Sequence, residues 1–120
     1  MNDKTTKVGE LKALVEKFVR ERDWERFHSP KNLAMSISIE AAELMEIFQW
    51  LDIKEAASLP KEPKKAAHIK EELADILIYL ISFCNINKID MAGIVAEKLR
   101  RNRTRFPAKK VRGAFLKNYR

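Results

Sequence analysis

Four carboxylates in two pairs carry the chemistry this chain could do. They are Glu40 and Glu43 in Glu40-Ala41-Ala42-Glu43, and Glu72 and Asp75 in Glu72-Leu73-Ala74-Asp75. Within each pair the spacing is three residues, which on an α-helix places both side chains on one face. At about 100° per residue from Leu33, Leu33, Ile37, Leu44, Ile47, Phe48 and Leu51 fall in one apolar stripe. Glu40 lands in the middle of that stripe and Glu43 at its edge. In the second segment Ile69, Leu73, Ile76, Leu80 and Phe83 form the stripe, flanked by Glu72, Asp75 and Tyr79. A carboxylate on a core-facing surface is costly unless it is paired or metal-bound. The nearest basic residues, Lys70 and His68, can satisfy one acid each but not all four. A single such pair is ordinary on a solvated helix. Two pairs abutting apolar stripes predict a hard divalent cation held by oxygen ligands, most simply Mg²⁺.

The elements that must position these acids are helices. The chain has 3 Gly and 4 Pro in 120 residues, little material for hairpins, and its apolar periodicity is helical almost throughout. The fold class expected is all-α, a four-helix bundle-like single domain over residues 1–120. Helix one is expected from about Thr6 to Arg22, on the spacing of Val8, Leu11, Leu14, Val15, Phe18 and Val19. The aromatic-rich loop Asp23–His28 then folds over something. Ser29-Pro30 is a helix start, with Ser at the N-cap and Pro at the first helical position, and helix two runs to about Leu51. Residues 52–63 hold two prolines and form a connection, with room for one short helical turn. Helix three covers about Lys64 to Asn85, with Asn87 ending it. Asp90 caps helix four, which runs to about Arg103 and is stopped by Phe106-Pro107. From Ile76 to Phe83 nearly every residue is apolar, so helix three has no polar face there. Either part of it lies between subunits of a homo-oligomer, or helices one and four cover it within one chain.

Composition narrows the function classes. Hydrophobic residues make up 46% of the chain, enough to fold. The polar start, Met1 to Glu10, does not resemble a signal peptide, and the longest apolar run is too short to span a bilayer. The one cysteine, Cys84, excludes an internal disulfide framework and fits a reducing, cytoplasmic setting. It lies in an apolar helix, as a buried inert thiol does. The net charge is +7, yet ten basic residues and no acidic one fall between Lys98 and Arg120. The remainder is acidic on balance. The basic C-terminal segment, 104–120, suits phosphate contacts or, alternatively, nucleic acid. Its Phe106-Pro107, Phe115 and Tyr119 suggest that part of it packs. A ferritin-like di-metal centre also draws carboxylates from four helices but needs Glu-x-x-His pairs. The one Glu-x-x-His string, Glu25-Arg26-Phe27-His28, falls in the loop before helix two, and three before His68 stands Lys65, so two such pairs on helices are not available.

Taken in order, Glu40-Ala-Ala-Glu43-Leu-Met-Glu46-Ile-Phe-Gln-Trp50 followed by Glu71-Glu72-Leu-Ala-Asp75-Ile-Leu-Ile-Tyr79-Leu resembles the all-α nucleoside triphosphate pyrophosphohydrolases, the MazG-like group. Arg22-Asp23-Trp24-Glu25-x-Phe27-His28 and Lys98-x-x-x-Asn102-x-x-Arg105-Phe106-Pro107 place the resemblance nearest the dCTP pyrophosphatase branch. It covers about Leu11 to Lys117. Ala41 and Ala42 stand where relatives often carry a Gly. The resemblance implies Mg²⁺-dependent hydrolysis of a nucleoside triphosphate, dCTP or a modified analogue, to the monophosphate and pyrophosphate. It implies Glu40, Glu43, Glu72 and Asp75 as catalytic metal ligands, in agreement with the stripe argument. It assigns the phosphates to Lys98, Asn102 and Arg105. Trp24, His28, Asn32, Trp50 and Tyr79 become candidates for the base pocket, where flat rings stack on a nucleobase. It also implies a homo-oligomer, dimer or tetramer. A helical nucleic-acid-binding protein using the basic segment is the non-enzymatic alternative, and it leaves the acidic quartet unexplained.

Overall fold

The computed structural model describes residues 1–114. Phe115 and Tyr119, expected to pack from the C-terminal segment, lie outside the described residues. Among the described residues six α-helices follow one another: α1 (Val8–Glu21), α2 (Pro30–Phe48), α3 (Ile53–Ser58), α4 (Pro63–Ile86), α5 (Met91–Arg105) and α6 (Ala108–Val111). Short 3-10 turns occupy Glu25–Phe27 and Leu59–Lys61. No strand occurs among the described residues, so the all-α class holds. The connection 52–63 is more helical than its prolines suggest. Asp52 accepts a hydrogen bond from Glu55 N at 2.7 Å and starts α3, and the prolines sit at the first turns of helical segments, where no amide is missed.

The helix boundaries follow their caps. Ser29 Oγ accepts from Asn32 N at 3.1 Å with Pro30 behind it, as its sequence position predicts. Asp90 Oδ1 accepts from Gly93 N at 3.2 Å and opens α5. At the end of α4, Asn87 Nδ2 donates to Phe83 O at 2.9 Å. The left-handed residue there is Lys88, with φ 52°, rather than Asn87. Asn87 satisfies a terminal carbonyl with its side chain and leaves the reversal to its neighbour.

The chain divides into two compact units, Met1–Lys88 and the segment from Ile89 on. In the first unit α4 packs chiefly along α2 and also against α1. Its core is Val15 and Val19 from α1, Leu33 from α2, and Ile81 and Cys84 from α4. Asn85 Nδ2 donates to Lys12 O at 3.0 Å and ties the end of α4 to α1. The second unit is α5 and α6, with Phe106-Pro107 between them as expected. No single helix among the described residues is long and apolar enough to cross a membrane.

The inward face of α4 is shifted from the stripe expected of the sequence. Ile69, Glu72, Ile76, Tyr79 and Phe83 are the half-buried positions, whereas Leu73 and Leu80 are exposed. Glu72 therefore stands within the packed face rather than on its flank. Leu77 and Ile78 are also 49% and 41% exposed in the single chain, so the apolar band is covered on one side only.

Candidate metal centre

The acids of α2 and α4 meet because those two helices are the most extensively packed pair in the fold. Glu40 and Glu43 stand one turn apart on α2, and Glu72 stands opposite them on α4. One carboxylate oxygen from each of Glu40, Glu43 and Glu72 lies within 4.8 Å of the others. Glu43 interacts through its side chain with both Glu40 and Glu72, so it is the middle member. Asp75 is exposed and outside this tight trio, yet near enough for its charge to act on Glu40.

The electrostatics are those of carboxylates crowded together. Burial, the hydrogen bond and charge of Glu43, and the charges of Asp75 and Glu72 push the Glu40 carboxyl up to about 7. Burial and then Glu43 also push Glu72 upward, against a smaller opposing pull from His68. Glu40 Oε2 and Glu72 Oε2 are both buried without a hydrogen-bond partner. An unpartnered buried carboxylate oxygen is expensive. Two of them, on acids whose carboxylates lie within 4.8 Å of a third, fit a hard cation that takes oxygen ligands. His68 Nε2 lies 3.2 Å from Glu72 Oε1, so one of the two expected basic partners is in place. Lys70 forms no ion pair with these acids.

Beside the trio is an open cavity of about 510 Å³, lined by Glu43, Glu46, Ile47, Lys65, His68 and Glu72. Lys65 went unnoticed in the sequence. The signal was there: Lys65, His68 and Glu72 are spaced three and four apart, on one helical face. A lysine ammonium at the mouth of an acid cluster suits a phosphate brought in with the metal.

The remaining expected residues are placed as follows. Lys98, Asn102 and Arg105 all lie on α5, in the second unit. Lys98 lines a shallow cavity with Asp90, Glu97 and Arg101, and the Arg105 guanidinium lies over the Phe106 ring at 5.2 Å. Asn102 O receives the Phe106 amide at 2.7 Å, closing the helix. Trp24 meets Phe18 edge-on at 5.8 Å between ring centres, and Arg22 lies over the same Phe18 ring. Asn32 Nδ2 donates to Phe27 O at 3.0 Å, pinning the aromatic loop to α2. Tyr79 is half-buried one turn beyond Asp75, and Trp50 is 88% exposed at the end of α2. His28 lines a second cavity, between α1 and α4, away from the acids.

The sequence profile of the MazG-like family matches residues 35–114, the stretch that carries both acidic motifs. The chain is 38% identical over 108 residues to dCTP pyrophosphatase 1 of Rattus norvegicus and 37% identical to that of Homo sapiens. These matches cover 90% of this chain and 64% of each relative, so the chain spans just under two thirds of their length. A solved pyrophosphatase from Archaeoglobus fulgidus superposes with a TM-score of 0.79 at 37% identity. That match covers 89% of this chain and 98% of the other.

Proposed function

Because the chain belongs to the MazG-like family, we propose that it hydrolyses a nucleoside triphosphate and water to the nucleoside monophosphate and pyrophosphate. The substrate we propose is dCTP or a close analogue, and the setting is housekeeping of the cytoplasmic nucleotide pool. The observation that carries the reading is the trio Glu40, Glu43 and Glu72, with its two unpartnered buried oxygens. The similarity to relatives named dCTP pyrophosphatase and pyrophosphatase supports both the reaction and the base.

In this reading Mg²⁺ is the cation, with Glu40, Glu43, Glu72 and Asp75 as its ligands. When bound, it supplies a Lewis acid for phosphoryl oxygens and acidifies a water. The protein's own groups do the rest. The trio presents converging oxygens from two packed helices, so its geometry is set before substrate arrives. Lys65 lines the adjoining cavity beside His68 and offers an ammonium to a phosphate that arrives with the metal. Lys98, Asn102 and Arg105 are assigned to the phosphates as a second set, on one helical face of α5. Trp24, His28, Asn32, Trp50 and Tyr79 remain assigned to the base. The one-sided cover of the α4 apolar band, together with Trp50 at 88% exposure, supports a homo-oligomer of a single domain spanning residues 1–120. Sedimentation as a monomer at micromolar concentration would remove that part of the proposal.

The decisive test is a panel of nucleoside triphosphates incubated with Mg²⁺, with monophosphate, pyrophosphate and inorganic phosphate all measured. The expected outcome is pyrophosphate and monophosphate in equal amounts, fastest from dCTP. Release of inorganic phosphate would overturn the reaction class. Faster cleavage of purine nucleotides would overturn the base and leave the reaction standing.

A further inference from the structure

The cavity between α1 and α4 has about 310 Å³ of space and is lined by, among others, Glu16, Arg20, Glu25, His28, Ser82 and Asn85. None of these except His28 has a role in the site described above. Ser82 is the informative one. It is 3% exposed, and its Oγ is buried with no hydrogen-bond partner. A serine inside a helix ordinarily donates to a carbonyl one turn back, as Ser38 Oγ does to Ala34 O at 3.1 Å. Ser82 does not. His28 Nδ1, on the same cavity, is likewise buried and unpartnered. Two buried polar groups without partners, lining one cavity, can meet the hydrogen-bonding edge of a ligand.

The position fits the substrate. Ser82 follows Asp75 by seven residues, two turns along the same face of α4, or roughly 10.5 Å of rise. Tyr79 stands between them on that face. A nucleotide whose phosphates lie at the acids, with Tyr79 against the near side of its base, brings the base edge to Ser82. The chemistry fits as well. Arg20 holds Glu16 at 3.0 Å and Glu25 at 3.3 Å, so the rim carries carboxylate acceptors and a net negative charge. That rim repels a phosphate and welcomes an amino group. Burial lowers the His28 pKa, with Glu25 opposing in part, so the ring is neutral and offers one donor and one acceptor. Asn85 Nδ2 is occupied by Lys12 O, which leaves its amide oxygen as a further acceptor.

We propose that Ser82 is the residue that selects the base, its hydroxyl and the neutral His28 ring hydrogen-bonding the edge of an amino-bearing pyrimidine in the α1–α4 cavity. This rests on the functional reading above, since it takes the triphosphate as ligand. Ser82 can accept from the exocyclic amine or donate to the ring nitrogen, and a 4-oxo pyrimidine offers no amine to the acceptor-rich rim. A site built to pair a buried hydroxyl discriminates against an analogue that leaves it unpaired.

The test compares wild type with Ser82→Ala, which favours the helix more than serine does and removes only the hydroxyl. KM and kcat are measured for dCTP and dUTP. The expected result is a rise in KM for dCTP of roughly three- to tenfold, the worth of one neutral hydrogen bond, carried in KM rather than kcat. The preference for dCTP over dUTP narrows by the same factor. A serine with only a packing role would move neither, and an unchanged KM and unchanged preference overturn the proposal. Deoxycytidine, which has no phosphates and needs no metal, is titrated in parallel while the His28 ring resonances are followed. Shifts in wild type that weaken in Ser82→Ala support the cavity assignment even if no triphosphate is hydrolysed. Absence of His28 shifts at saturating deoxycytidine refutes it even if hydrolysis proceeds.

Discussion

The glutamates of α2 and α4 and the glutamate of α5 are the same residue type in equally helical segments, yet they meet opposite fates. Glu97 on α5 accepts from Arg100 at 2.8 and 2.9 Å and from Arg101 at 3.0 Å, and these arginines hold its carboxyl below the usual range. Glu40 has carboxylates where Glu97 has guanidinium groups, and its carboxyl is pushed up to about 7. Glu97 is a satisfied surface acid whose cations are part of the chain. Glu40, Glu43 and Glu72 repel one another, and the cation proposed above is what would relieve them. An acidic motif therefore says little by itself, and its charge partners decide whether it is a solvated face or a site.

The largest break in this contrast comes from Glu40→Gln, which keeps shape and removes one ligand charge. Loss of a mere outer-shell partner of a metal ligand costs 10–100-fold, so removing a ligand is expected to lower kcat by at least about 100-fold. Far-ultraviolet circular dichroism should stay that of a folded helical protein. Glu97→Gln, the matched control, is expected to leave pyrophosphate release close to wild type. Full activity in Glu40→Gln would end the metal-ligand assignment.

A second effect is metal-linked stability. At a free Mg²⁺ concentration of 100 times Kd, a single site adds about 2.7 kcal/mol to folding. For a domain of this size that raises Tm by roughly 10 °C. Differential scanning fluorimetry should show the rise in wild type and in Glu97→Gln, and its loss in Glu40→Gln. A rise of equal size in all three proteins would place the ion elsewhere.

Much of this contrast was legible in the sequence. The four acids were visible because their spacing put them against apolar stripes, and Ser29, Asp90 and Phe106-Pro107 marked helix ends by local chemistry alone. The turn of α4 was not. Its inward face runs through Ile69, Glu72, Ile76 and Tyr79, and a stripe drawn through the leucines put Glu72 on the flank. Strong apolar residues on both faces of α4 blur the period, so only packing against α2 fixes which face turns inward. Lys65 and Ser82 were missed for a related reason. Each is an ordinary residue in a helix, and only the cavity that it lines gives it meaning. Asn32 shows the reverse case: its polar side chain is already used to hold the loop at Phe27, a job that spacing does not announce.

The smallest expected effect is in pH dependence, and here the two regions should respond with opposite sign. The folded-state pKa of Glu40 is about 7 against an ordinary 4.5. Between those values the folded, metal-free protein keeps a proton that the unfolded chain has released. Folding stability of the metal-free protein should therefore fall as pH rises through that window. Glu72, shifted in the same direction, adds to the fall. For Glu97 the folded pKa is lowered, so its contribution is present above 4.5 and is lost as pH drops through the folded value. Urea midpoints of chelator-treated protein, measured across this range, should show a decline toward neutral pH that Glu40→Gln flattens. Glu97→Gln should leave that decline intact and change only the acid limb. Saturating Mg²⁺ should abolish the neutral-side decline, because the bound ion replaces the proton. If Glu40→Gln and wild type declined in parallel, the repulsion within the trio would not be the source of the strain, and the contrast between the two regions would fail on its energetic side.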